Sequence, residues 1–333
     1  MTSKFLMLAL LGTASLSAAA QTAAVPNLAE IAARDYRERA RFPAWSQPIL
    51  NAVDPLMRDR LVSPVRLAGP NPGESITVWS DAIRYEEGDT AALFAQLEGL
   101  SADWTVRMQI DNAAGRVAEV LMQDDGQGAD AVAADGIYAA QWTLPKAAQP
   151  AMGQADNLML KVLATGADGA ERRGLGGLLY SHPGAELTGR YRHQLQQGNL
   201  LLQAEVLVHT LGRYHLSGTL ATLEGLPVAE AQQAQQLEPG QHWMDLPIYG
   251  LIFHELSLLS PLQLSSISLS TANGMPNALG PVHRQVLQLP ALPLAELTDV
   301  AFGDASLLDA AERLEAGSKL RRLSQTLQGV LGN

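Results

Sequence analysis

From Ser75 onward the chain is written in short runs whose apolar and polar residues alternate, separated by turn residues. Alternation of period two predicts strands half-buried on one face. The first set falls at 76–79, 91–97, 106–111, 117–123, 136–144, 158–165 and 174–180. A second set follows at 187–194, 200–209, 213–222, 227–231, 242–246, 251–254 and 262–269. Many short strands with frequent turns and no long helix between them predict a mainly β chain of two immunoglobulin-like β-sandwiches in series, 74–183 and 184–289, joined near "SHPGAEL".

Both ends carry a different pattern. Asn27 can cap a helix from Leu28 to Arg41, with Glu30 completing a capping box. Prolines 43, 48, 55, 64, 70 and 72 then forbid continuous helix or central strand, so residues 43–73 read as an extended arm over the first sandwich, pinned by Phe42 and Trp45. After a linker from Pro290, a helical tail is expected from Leu307 to Leu331, capped by Ser306 with Asp309 and weakened at Gly317-Ser318. Its Leu320, Leu323, Leu327 and Val330 form a stripe at three- and four-residue spacing. That stripe can dock onto its own domain, bind a partner or a second copy through residues 305–331, or lie on a membrane surface.

One pairing follows from the apolar pattern in "LLLQAEVLVHTLGRYHLSGTL". Runs 200–209 and 213–222 are expected to form a hairpin, in which a three-residue loop at 210–212 pairs Val208 with Tyr214 and Val206 with Leu216. His209 then lies opposite Arg213.

Composition changes the picture in two ways. Residues 1–20 hold Lys4, the apolar run Phe5 to Leu11 and a small-residue ending at Ala18-Ala19-Ala20, which reads as a cleaved signal peptide, too short for a membrane span. The expected location is therefore the periplasm or the cell exterior. With no cysteine, neither disulfides nor a lipid-anchored thiol contributes, and the net charge of −11 without a basic tract argues against nucleic acid.

The densest candidate chemistry is "DDGQGADAVAADGIY", residues 124–138. Asp124, Asp125, Asp130 and Asp135, with the backbone carbonyls between them, can supply several of the roughly six to eight oxygen ligands of calcium, although glycines stand at 126 and 128, where an EF-hand would place ligands. Aspartate and glycine also build turns without any ion. Catalytic signals are weak: there is no G-x-S-x-G elbow, "GLGG" at 174–177 lacks dinucleotide spacing, and "FHE" at 253–255 lacks the second zincin histidine. The seven histidines form no metal-spaced set. In "HWMDLPIYGLIF", Trp243, Tyr249 and Phe253 either fill the sandwich interior or line a ligand surface.

The segments "RFPAWSQPI", "DDGQGADAVAADGIY", "LTGRYRHQLQQGNLLLQAEV", "GRYHLSGTL", "HWMDLPIYGLIFHE" and "LSTANGMPNA" occur in that order. In them the chain resembles the choice-of-anchor X domain proteins, exported Gram-negative proteins of unassigned function, over about residues 34–285. The resemblance implies β-sandwiches and surface or secretory placement, and it supplies no catalytic residues. The chain departs from the family's name in showing no C-terminal sorting anchor. The expectation is a non-enzymatic, exported protein that binds a protein or glycan at the envelope. The alternatives are a secreted hydrolase or accessory module with a carboxylate site between domains, and a structural component assembling through its tail.

Overall fold

A computed structural model describes residues 27–58, 62–100 and 104–331. The leader expected at 1–20 lies outside the described residues. The described residues form two compact units: 27–38 together with 305–331, and Arg39–Asp304. In chain order the elements are α1 (Leu28–Ala40), β1 (Ser46–Pro48), α2 (Pro55–Arg58), β2 (Val65–Ala68), β3 (Ser75–Ser80), β4 (Arg84–Tyr85) and β5 (Thr90–Glu98). They continue with β6 (Trp104–Asn112), β7 (Gly115–Met122), β8 (Ile137–Thr143), β9 (Gln154–Gly166), β10 (Glu171–His182), β11 (Ala185–Gln196) and β12 (Asn199–Val208). The last are β13 (Gly212–Thr222), β14 (Pro227–Leu237), β15 (Gly240–Ile248), α3 (Gly250–Glu255), β16 (Leu262–Thr271), β17 (Ala278–Leu289) and α4 (Ala305–Leu331).

The mainly β expectation holds. In the larger unit, sheets ordered β2-β3-β5-β8 and β4-β10-β9-β6-β7 face each other as the first sandwich. Sheets ordered β1-β14-β13-β16-β17 and β11-β12-β15 form the second. Each encloses its own core, one centred on Val78, Leu93, Met108, Leu160 and Tyr180, the other on Leu202, Val206, Tyr214, Leu216, Leu246 and Phe253.

The "GLGG" stretch has a packing explanation. Gly174 and Gly176 sit on the inner face of β10 against β3, where a Cβ would lie 2.6 Å from Ile76 Cγ2 and 2.8 Å from Val78 Cγ1, respectively. Glycine lets the two sheets approach closely here.

The sandwiches meet at a two-residue junction, Pro183-Gly184, between β10 and β11. The buried Tyr214 hydroxyl lies 3.0 Å from the Gly184 carbonyl and 2.5 Å from that of Thr210. The Gly184 N–H donates to Thr271 Oγ1 at 2.8 Å, and Ser181 Oγ donates to the Leu279 carbonyl at 2.8 Å.

Four expectations need correction. The arm lies over the second sandwich, not the first, as far as Arg58, and then joins the first through β2. Its β1 adds to the open edge of β14, Phe42 enters the second core, and Asp54 accepts from Thr219 Oγ1 at 2.8 Å and Ser266 Oγ at 2.7 Å. The unpaired edge and the two buried hydroxyls need these partners.

The expected hairpin does not form. β12 pairs with β11 and β15, whereas β13 pairs with β14 and β16, so the chain crosses between sheets at 209–211 and His209 does not face Arg213. Two runs that bury the same core satisfy an apolar pattern from opposite sheets as well as from adjacent strands.

Residues 251–254 belong to helix α3, because a short apolar run flanked by turns fits a buried helical turn equally well. The tail helix begins at Ala305, which places Ser306 inside its first turn, and it continues through Gly317-Ser318. Strand β17, interrupted by Pro281 and paired irregularly at the sheet edge, carries too weak an alternation to be read from sequence.

In the smaller unit Asn27 caps α1, with Oδ1 accepting from the Ala29 N–H at 3.1 Å. Glu30 pairs with Arg322 of α4, and Arg37 with Glu315. Ala33 and Ala311 are fully buried, while Leu320, Leu323 and Leu327 are exposed. No described helix is long and apolar enough to cross a membrane.

Replacing Gly174 by valine forces Ile76 and Val78 to shift. We expect Gly174→Val to destabilise the larger unit by about 1–3 kcal/mol in urea unfolding, the usual cost of overpacking.

Candidate metal centre

The acidic loop leaves β7, in one sheet of the first sandwich, and returns as β8 in the other, with the Gln123–Ala139 bridge closing its base. Turn chemistry positions its aspartates. Asp124 accepts through both carboxylate oxygens, from the Asp135 N–H at 3.2 Å and the Gly136 N–H at 2.9 Å. Asp130, buried beneath the loop, accepts from the Gly126 N–H at 2.5 Å and the Val132 N–H at 3.3 Å. Asp135 accepts from the Ile137 N–H at 2.9 Å. Gly126 takes φ +71°, a left-handed conformation in which glycine is unstrained.

The same bonds draw the carboxylates together. Ligand oxygens of Asp124, Asp130 and Asp135 lie within 4.8 Å of one another. Asp125 does not join them; it is exposed and closes its own turn by accepting from the Gln127 N–H at 3.0 Å. Among the described residues, no lysine or arginine forms an ion pair with any of the three. Convergent carboxylate oxygens suit a hard cation of the calcium type. Three of the four sequence-predicted ligands therefore meet, and the fourth does not.

The other candidates separate. Tyr249 and Phe253 are in the second core, but Trp243 lies half-buried on the outer face of β15, with the Arg192 guanidinium 4.0 Å from its ring centroid. Beside it, Arg192 Nε donates to Gln203 Oε1 at 2.7 Å, and Gln203 Nε2 donates to Asp245 Oδ1 at 2.6 Å. Sequence reasoning missed the buried Glu205 opposite Trp243, which accepts from Thr188 Oγ1 at 2.8 Å and Arg190 Nε at 2.6 Å. A lone glutamate in an apolar run, "QAEVL", was its only signal. The histidines disperse: His182, His242 and His254 each contact a different backbone carbonyl, and His215 contacts Gln232. Under the arm, a cavity of about 150 Å³ is lined by Trp45, His215, Ser217 and Thr219, with Glu230 the one carboxylate on its wall.

Fold and loop thus define a double β-sandwich protein with an acidic inter-sheet loop. Residues 184–287, nearly the whole second sandwich, match the family described as "Domain of unknown function (DUF4785) C-terminal domain". That match does not reach the acidic loop. Among solved structures, a DUF4785 family protein from Legionella pneumophila is 19% identical, with 66% of this chain and 58% of that chain covered and a TM-score of 0.46. The chain thus spans 58% of the Legionella protein's length. The sporulation control protein Spo0M from Bacillus subtilis is 8% identical over 77% of this chain and 99% of that one, at a TM-score of 0.25. No curated protein matches the chain.

Desolvation pushes the Glu205 carboxylate up, but the bonds from Thr188 and Arg190, with the Arg190 charge, outweigh it and hold its pKa below the ordinary 4.5. A carboxylate depressed by folding stabilises above its unfolded pKa, and the contribution is lost as pH falls through the folded value. In urea melts at successive pH values, the wild type should therefore lose stability below pH 4.5 more steeply than Glu205→Gln.

Proposed function

We propose that the chain is a non-enzymatic, exported binding protein whose first sandwich carries a calcium site formed by Asp124, Asp130 and Asp135. The observation that carries this reading is the convergence of three carboxylates within 4.8 Å without an ion-pair partner among the described residues. Like charges this close repel, and a divalent cation converts that repulsion into coordination. Asp124 and Asp130 are already oriented by backbone N–H groups, so less ordering remains for the ion to bring about. Calcium would stiffen the loop that joins the two sheets, and a partner would meet the loop in one conformation.

Export is supported by the leader-like residues 1–20. The motif resemblance to the choice-of-anchor X proteins supports the same placement, and a protein or glycan at the envelope is the partner class proposed.

Calorimetric titration with calcium, paired with thermal melts in calcium and in chelator, tests the site. The wild type should give saturable heat and melt higher in calcium; at free calcium of about a hundred times Kd the gain is about 2.7 kcal/mol. Asp130→Asn should weaken binding on the order of tenfold or more, because affinity follows ligand charge. Asp125→Asn should bind like wild type. No heat and no melting shift would overturn the proposal.

A further inference from the structure

The outer face of the β7-β6-β9-β10 portion of the first sandwich does not share the chain's acidic character. Strand pairing sets its side chains in rows. One row across the strands is Leu121, Arg107, Leu163 and Arg173, and the next is Glu119, Gln109, Lys161 and Leu175. Beside these lie Arg116, Asp111 and Met159. A cavity of about 340 Å³ opens among them, walled by Arg107, Arg116, Lys161 and Arg173 with Glu119 as the one lining carboxylate. This concentration of cations occurs on a chain of net charge −11.

The cations are incompletely neutralised. Arg107 and Arg116 share the single Glu119, at 3.6 and 2.9 Å. Arg173 reaches Glu171 at 3.3 Å with its side chain 79% exposed. Lys161 Nζ is 2.6 Å from Asp111, whose carboxyl that bond holds below the usual aspartate range. Guanidiniums sharing one carboxylate retain N–H donors for a second acceptor.

Large aliphatic side chains stand exposed between the charges, namely Leu121, Met159 and Leu175. No aromatic residue lines the cavity, so it offers no stacking platform for nucleobases. We infer that this face docks an acidic polypeptide segment that also carries aliphatic side chains. Its carboxylates would take the Arg107, Arg116, Lys161 and Arg173 donors, and its apolar residues would cover Leu121, Met159 and Leu175. The inference rests on the binding-protein reading. It does not depend on calcium, so the titration of the loop and the test below fail separately.

The probe is a synthetic peptide of repeated Glu-Leu-Glu, about twelve residues long and enough to cross four strands spaced about 4.8 Å apart. Polyglutamate of equal length and heparin are the controls, with affinity read by fluorescence anisotropy on the full chain. The mixed peptide should bind more tightly than either control and weaken with salt. The double variant Arg107→Glu/Arg173→Glu should lower its affinity on the order of tenfold or more, with an unchanged melt confirming the fold. Leu175→Ser, which keeps every charge, should weaken the mixed peptide but not polyglutamate. Failure of the mixed peptide to bind, equal binding by the double variant, or a preference for heparin would overturn the inference.

Discussion

The acidic loop is governed by a conflict between hydrogen bonding and charge. Its backbone leaves the sheet ladder between Gln123 and Ile137, and its N–H groups need acceptors. Aspartates supply them: Asp124 for residues 135 and 136, Asp130 for 126 and 132, Asp135 for 137. Each bond fixes a carboxylate toward the loop's centre, so folding the turn gathers three negative charges within 4.8 Å. Turn-building therefore accounts for the convergence of carboxylates on which the proposed calcium site rests. The distinction lies with Asp125, which closes a turn without joining the cluster.

That geometry rests on a stiff support. The loop bridges the two sheets of a sandwich in which Gly174 and Gly176 allow β10 to approach β3. The sandwich is fixed to the next through Pro183-Gly184, where Tyr214, Thr271 and Ser181 hold the connection by hydrogen bonds. The arm adds a further tie, with β1 on the second sandwich and β2 on the first. With no cysteine to cross-link the chain, burial and these bonds carry the architecture.

Strand positions were largely legible, because most strands bury one face and period-two alternation records that directly. Partners were less legible. The pattern in 200–222 was compatible with neighbouring strands, and only the three-dimensional structure assigns β12 and β13 to opposite sheets. The Gln- and Ala-rich end of β14 has weak strand propensity and is extended because β13 pairs with it, a tertiary effect that local sequence does not carry. The arm's destination depended on an unpaired edge and on the Thr219 and Ser266 hydroxyls, none of which sequence order reveals.

At the site, composition identified all four aspartates, but only turn geometry separates Asp125 from the three that converge. The basic face was invisible for a related reason. Arg107, Arg116, Lys161 and Arg173 are scattered over nearly seventy positions and become one surface only through strand register.

Anomalous diffraction from crystals grown with calcium addresses the central claim most directly. A single peak is expected among Asp124, Asp130 and Asp135, with carboxylate oxygens at about 2.3–2.6 Å and Asp125 outside the coordination sphere. A loop that shows no peak at saturating calcium, with the three carboxylates engaged only by backbone N–H groups, would contradict it.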